Sequence, residues 1–407
     1  MQLTVDSGQL PVGWEIKYLD KLCENLDSKR VPITKSSRKS GNIPYYGASG
    51  IVDYVDDYIF DEDLLLVSED GANLLARSYP IAFSITGKTW VNNHAHVLHF
   101  EEKITQSFIE YYLNSISLKP YVSGMAQPKL SQKSLNSIPI PFPPLSKQKR
   151  IVAILDEAFE GIDRAITNTE KNFTNARELF ESYLNAIFIQ KGDGWEEKTL
   201  KQVSIQFGRG KSRHRPRNDQ KLYSGKYPFI QTGDIRNSNH IVTSYLQTYN
   251  EVGLAQSKLW PKGTVCITIA ANIAETGVLD FEACIPDSVI GLVVDLNKAN
   301  NMFVEYMLQA FKLFLKAKGK GSAQDNINMG TFEAQTFPFP SIDEQEIIVA
   351  RLDFISTETQ RLEAIYKLKI TALNELKQSI LQKAFTGELT ADTANQTTKA
   401  AQEVNAA

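Results

Sequence analysis

The chain has 407 residues, 42% of them hydrophobic, and a formal net charge of −3 at pH 7. That length suggests two or three domains, the apolar share is that of an ordinary folded chain, and the charge argues against a generic polyanion binder. The longest apolar runs, IAFSI and TVCITIAANIA, are too short to span a bilayer; MQLTVDSGQLPVGW has no basic region leading an apolar core, so no signal peptide is expected.

Residues 1–12 read as a loose lead-in to a first globular region, 1–145. Within it NIPYYGASGIVDYVDDYIFDEDLLLVSEDGANL and AFSITGKTWVNNHAHVLHF read as short strands broken by glycine and aspartate turns, and ITQSFIEYYLNSI at 104–116 as a short helix. Lys29, Arg30, Lys35, Arg38 and Lys39 form a diffuse basic group. His94 and His96 are the one close histidine pair; strand alternation would put both on one face, but no third ligand is near, so structural or DNA-facing histidines are expected rather than a metal site. Cys23, Cys266 and Cys284 lack CxxC spacing and histidine partners, which fits reduced cytoplasmic thiols. Glu69 and Asp70 with Lys88 faintly suggest a nuclease centre, a reading we reject because acidic turn residues are common.

Pro139, Pro141, Pro143 and Pro144 keep the next segment extended, and Ser146 stands where a helix N-cap is expected. A helix is predicted over 146–191. Its apolar residues alternate in steps of four and three: Leu155, Ile162, Thr169, Ala176 and Tyr183 make one column, and Phe159, Ile166, Phe173, Phe180 and Ile187 the other. A 3.5-residue period over five heptads predicts a coiled-coil helix; the plainer alternative is an amphipathic helix packed on its own domain.

A second region, 192–340, opens with GWEEKTLKQV, an echo of GWEIKYLDKL at 13–22 that pairs Trp195 with Trp14 and Leu200 with Leu19. KYPFIQTGDI, GTVCITIA and SVIGLVVDL suggest strands and FVEYMLQAFKLFLKA at 303–317 a helix, so both regions read as α+β. The sharpest binding signal is GRGKSRHRPR at 208–217, where Arg209, Lys211, Arg213, His214, Arg215 and Arg217 crowd one glycine- and proline-containing loop. Arginine forks onto phosphates or guanine edges; a solvated surface loop is the bland alternative.

The proline segment and helix then recur. An offset of 197 carries Ala126 to Ala323, Gln127 to Gln324, Pro141 to Pro338, Gln148 to Gln345, Asp156 to Asp353 and Phe188 to Phe385 without a gap, which marks an internal duplication. The second helix, 341–388 with Ser341 at its N-cap, aligns Leu352, Thr359, Tyr366, Leu373 and Ile380, with a poorer column of Ile355, Leu362, Lys369 and Leu376. Forty residues of helix span roughly 60 Å. Since the second helix starts beyond the far region, it must run back antiparallel to pair with the first, giving a dumbbell with approximate two-fold symmetry. The tail 389–407 is polar and repetitive and is expected to be disordered.

There is no glycine-rich cofactor loop and no Asn/Asp-Pro-Pro-Tyr/Phe tetrad; Gly87-Lys88-Thr89 and Gly210-Lys211-Ser212 lack the leading glycine of a P-loop and read as turns. No catalytic or metal site is expected in this chain.

These stretches together resemble the specificity subunits of type I restriction-modification systems: PYYGASGIVDYVDDYIFDEDLLLVSEDGANL, GKTWVNNHAHVL, YPFIQTGDIRN, and SAQDNINMGTF followed by PFPSIDEQEIIVARLD, over residues 13–388. The resemblance implies two target recognition domains, each reading half of an interrupted DNA sequence, held apart by an antiparallel coiled-coil pair that acts as a ruler. It implies that two methylation subunits and, in the full enzyme, two restriction subunits assemble on the chain. Adenine methylation with S-adenosylmethionine and ATP-driven, Mg-dependent cleavage would belong to those partners, leaving no cofactor here. Lys369 in the second helix is a polar departure that leaves the helix register open. A protein-binding scaffold, a stand-alone methyltransferase and a modification-only accessory protein remain alternatives at this point.

Overall fold

A computed structural model describes residues 10–124, 126–270, 273–319 and 329–391. The lead-in 1–9, the repeat residues Ala323 and Gln324, and most of the tail (392–407) lie outside the described residues; the tail's start is ordered rather than disordered, with Glu388–Thr390 in a short helical turn, Leu389 packed on the unit-one core and Thr390 buried. Four helices carry the architecture: α1 (Lys103–Ser115), α2 (Leu145–Gln190), α3 (Asn301–Ala310) and α4 (Ile342–Thr386). The chain divides into two compact units, Met1–Thr169 with Leu368–Ala407, and Glu170–Lys367, so the division runs through both long helices.

In unit one a four-stranded antiparallel sheet is ordered Glu24–Asn25, Ala95–His99, Leu64–Ser68, Ala82–Ile85. A second sheet holds the hairpin Ser40–Gly47/Gly50–Val55, with Lys88–Val91 and Phe60–Asp61 beyond it. The central strand Leu64–Ser68 is buried throughout, which its unbroken apolar run requires. In unit two a five-stranded sheet is ordered Ser204–Arg209, Val289–Val294, Val265–Thr268, Thr276–Leu279, Ile241–Val242, and a four-stranded one surrounds Tyr223–Phe229. The predicted helix over 303–317 is interrupted: α3 ends at Ala310, and a second helix starts at Lys312.

In each unit the strand of the GWE opening pairs with the proline segment at the other border, in matching register. Glu15–Lys17 runs antiparallel to Ile140–Phe142 with Glu15 opposite Phe142. Glu196–Thr199 runs antiparallel to Thr336–Phe339 with Glu196 opposite Phe339. Just beyond, the buried Gln148 donates to the carbonyl of Pro143 at 2.8 Å and the buried Gln345 to that of Pro340 at 3.0 Å. Tyr111 of α1 donates to Asp156 at 2.6 Å, and Tyr306 of α3 to Asp353 at 2.7 Å. The far end of each long helix is anchored the same way. Phe385 meets Phe108 with ring centroids 5.3 Å apart in unit one, and Phe188 meets Phe303 at 5.4 Å in unit two. Each unit therefore seats the start of one long helix and the end of the other.

The ten α2 column positions, from Leu155 to Ile187, are all buried or half-buried. In unit one Leu155 and Phe159 share a core with Ile380, Leu381 and Phe385 of α4, and Asp163 accepts from Lys377 at 2.6 Å. In unit two Arg177 forks onto Glu363 at 2.7 and 3.1 Å, while the ammonium of Lys367 lies over the Phe173 ring, so α2 and α4 run antiparallel there. Ile162 is buried and Ile166 half-buried; Phe180 packs on Tyr306. On α4, Leu352 is buried, and Tyr366, Leu373, Ile355 and Leu362 are half-buried. Lys369 is exposed and Leu376 is 47% exposed; the covered second column is instead Ser356, Glu363, Ile370, Lys377 and Ala384. That column is shifted by one residue because its charged members, Glu363 and Lys377, face the ion-pair partners on α2.

Ser341 accepts from the amide of Glu344 and so caps α4. Ser146 does not cap α2, which begins one residue earlier at Leu145; the carbonyl of Pro144 takes the amides of Lys147 and Gln148.

Candidate nucleic-acid interface

The basic loop of unit two leaves a sheet strand under tight backbone control. Strand Ser204–Arg209 pairs with Val289–Val294, setting Arg209 opposite Ile290. At Gly210 a Cβ would collide with the carbonyl oxygen of Ile285, so only glycine lets the chain pass. Lys211 then donates its amide to Ile285, and Gln256 Oε1 accepts the amides of Arg213 and His214 at 2.6 and 3.0 Å. His214 bonds Asp219 at 2.8 Å, and Tyr223 donates to the carbonyl of Arg217 at 2.6 Å. The loop backbone is thus braced from outside while its arginine and lysine side chains stay exposed.

Three of those side chains converge on one residue. Arg217 Nη2 reaches both carboxylate oxygens of Asp287 at 2.8 Å, Arg215 Nη2 stands 3.6 Å from the same group, and Arg209 Nε donates to the main-chain carbonyl of Asp287 at 2.8 Å. Lys211 and Arg213 have no side-chain partner among the described residues. Lys258, whose ammonium lies over the Trp260 ring, stands near Lys211: burial lowers its pKa, and the charge of Lys211 lowers it further. Among the described residues neither lysine has a carboxylate partner, and two like charges held close make a site for an anion. Neither Asp287 nor Lys258 was legible in the sequence, since both lie more than forty residues from the loop and carry no motif.

The basic group of unit one is more committed. Arg30 is largely buried, donating to Glu69 and to the carbonyl of Ala95, both at 2.7 Å. Arg38 donates to Asp53 at 2.9 Å and lies over the Tyr45 ring. The reading of Arg30 as a surface DNA contact therefore gives way to a structural ion pair. Lys29, Lys35 and Lys39 are exposed.

The histidines separate. The strand begins at Ala95, so alternation does not reach His94, which is exposed and bonded to Asp70 at 2.8 Å. His96 is buried, with Nδ1 on Asp27 at 2.6 Å and Nε2 on the carbonyl of Leu130 at 2.8 Å. Asp27, Glu69 and His96 offer ligand atoms within 4.8 Å of one another. Both His96 nitrogens face oxygen acceptors, and Arg30 and Lys129 occupy Glu69, so the donor set suits a charge-balanced ion cluster better than a metal. Burial alone would raise the pKa values of Asp27 and Glu69; hydrogen bonds from His96, and from Arg30 and Lys129, bring both below the usual range. Lys88 lies over the Tyr58 ring, away from that cluster's bonding. Among the described residues no helix is long and apolar enough to cross a membrane.

Comparison with known proteins places these features. A profile described as the type I restriction modification DNA specificity domain matches residues 11–172 and again 192–372. A protein of Haemophilus influenzae assigned as a type I restriction enzyme specificity subunit is 30% identical over 368 residues, covering 86% of this chain and 89% of the relative. The EcoBI specificity subunit of Escherichia coli is 24% identical, covering 72% and 67%. Among solved structures, the HsdS subunit of Thermoanaerobacter tengcongensis superposes with a TM-score of 0.59 at 19% identity, over 93% of this chain and 98% of its own. A structure concerned with complex assembly and conformational transition of the type I R-M system gives 0.70 at 18% identity, over 92% and 98%.

Proposed function

The chain belongs to the type I restriction-modification DNA specificity family, and on that premise we propose that it is the sequence-specificity subunit of such an enzyme, each unit reading one half of an interrupted DNA target. The observation that supports this best is the repeat itself. Two units share border pairing, helix anchors and glutamine locks, yet differ in their interior loops, as two readers of different half-sites would. We assign residues 1–145 and 192–340 as target recognition domains and 146–191 and 341–388 as spacer helices. The helices set the unread gap and dock two methylation subunits; exposed Leu179, Ile189, Phe354 and Leu368 along them suit burial by another chain.

Adenine-N6 methylation with S-adenosylmethionine, and ATP- and Mg-dependent cleavage by restriction subunits, belong to the partners. On this reading Lys211, Arg213 and Lys258 grip phosphate in unit two, with Arg209, His214, Arg215 and Arg217 beside them. Lys29, Lys35 and Lys39 serve unit one. Replacing Lys211 and Arg213 with glutamine lowers affinity for all duplexes and reduces the salt slope by about 1 per side chain.

The deciding experiment is to express the chain with its methylation subunits in a host without such a system and map the methylated adenines. A split target with a constant gap is expected, and exchanging residues 192–340 for another member's should change one half only. A continuous target, or methylation independent of this chain, would overturn the proposal; sequence-independent assembly would favour a protein scaffold.

A further inference from the structure

We propose that Asp287 is a positioning residue that holds Arg209, Arg215 and Arg217 as a rigid fork for base edges, leaving Lys211 and Arg213 as a separate, mobile phosphate grip. This rests on the reading that the loop meets DNA. Asp287 stands on a fixed base: Ile285 and Val289 on either side are fully buried, and the amide of Val289 closes a turn onto Pro286. Its carboxylate is 32% exposed and engages Arg217 and Arg215, while its carbonyl engages Arg209.

The donor count matters. Arg217 uses only Nη2 on Asp287, Arg209 uses Nε and Nη2, and Arg215 uses Nη1 on the carbonyls of Ser212 and His214. A guanidinium has five N–H donors, so each arginine is oriented yet keeps donors for a ligand. Phosphate attraction tolerates a swinging side chain, whereas pairing with O6 and N7 of guanine requires the fork in one plane and place. Holding it there beforehand removes the ordering entropy from the binding step. Lys211 and Arg213, which have no side-chain partner among the described residues, have no such constraint, which divides the loop into two kinds of contact.

The test uses the whole chain assembled with its methylation subunits, a duplex carrying the mapped target, and a scrambled duplex of equal length. Asp287→Asn should lower the ratio of target to scrambled affinity on the order of tenfold, since one bidentate base contact discriminates by about that much. Scrambled-duplex affinity should hold or rise, because a negative charge has gone. Asp287→Glu should recover part of the ratio, and Arg217→Lys, which keeps charge but loses the fork, should mimic Asp287→Asn. Equal losses on both duplexes, or no change on either, would overturn the inference. Failure of the premise shows separately: if the Lys211→Gln/Arg213→Gln double variant leaves scrambled-duplex affinity and its salt slope unchanged, the loop does not meet DNA.

Discussion

The two glutamines that follow the proline segments occupy equivalent positions but have different partners, and this makes a quantitative prediction. Gln345 is fully buried; it accepts the amide of Asn300 at 2.9 Å and donates to the carbonyls of Pro340 and, at 3.4 Å, Lys298. Replacing it with leucine keeps the volume and strands the Asn300 amide and the buried Pro340 carbonyl; Lys298 is exposed, so water serves its carbonyl. Two orphaned backbone groups at about 1–3 kcal/mol each give a loss of about 2–6 kcal/mol in unit two. Gln148 accepts instead from the hydroxyl of Thr105 at 2.9 Å and donates to Pro143. In Gln148→Leu only the Pro143 carbonyl is stranded, since a threonine hydroxyl in a first helical turn rotates to a carbonyl one turn back. That loss should be about 1–3 kcal/mol, and it should fall in unit one. Hydrogen exchange read by peptide in each unit separates the two effects, because local opening reports each unit's own stability. An equal loss in both variants, or a loss in Gln345→Leu below about 1 kcal/mol, would refute the orphan argument.

Further outcomes follow from other sites. Burial disfavours charge on His240, but the hydrogen bond to Glu305 at 2.8 Å and its charge outweigh that and raise the pKa above the usual histidine value. The contribution is therefore complete below the unfolded pKa and lost as pH rises through the raised folded one, so the stability gap between wild type and His240→Gln should narrow from pH 6 to pH 8.5 in urea titrations. A gap that widens would contradict it. Burial, with Asp20 and Asp27 nearby, pushes the Cys23 thiol up to about 12. Iodoacetamide at pH 8 should then label it on the order of a thousandfold more slowly than a free thiol, and rapid labelling would show otherwise. A Cβ on Gly291 would sit 2.7 Å from the buried Trp260 ring, so Gly291→Ala should destabilise unit two by about 1–3 kcal/mol and shift tryptophan emission. An unchanged spectrum and midpoint would mean that the ring has room.

What the sequence made legible was whatever repeats locally. The offset of 197 and the two GWE openings exposed the duplication, and every position that the heptads of α2 named is covered, because side chains spaced along a helix report that helix's own geometry; the buried Ile151, Val152, Leu184 and Phe188 lie outside those columns, where the helix packs on the domains. The second column of α4 was misaligned by one residue, since its covered members include Glu363 and Lys377, whose burial is visible only once Arg177 and Asp163 stand opposite. The limits of α3 were likewise blurred, as apolar residues continue past the break at Phe311.

The candidate interface divides along the same line. Six basic side chains between Arg209 and Arg217 marked the loop from composition alone. That Arg217 and Arg215 are pinned while Lys211 and Arg213 are free depends on Asp287, seventy residues on from Arg217, and Arg30 became structural only when Glu69 arrived beside it. Duplication and helical period are properties of neighbouring residues and were determined by the sequence alone. Which charge is neutralised and which is left for a ligand is a property of residues distant along the chain, because Coulomb and hydrogen-bond energies fall off within a few ångströms, and only the tertiary fold decides who lies that close.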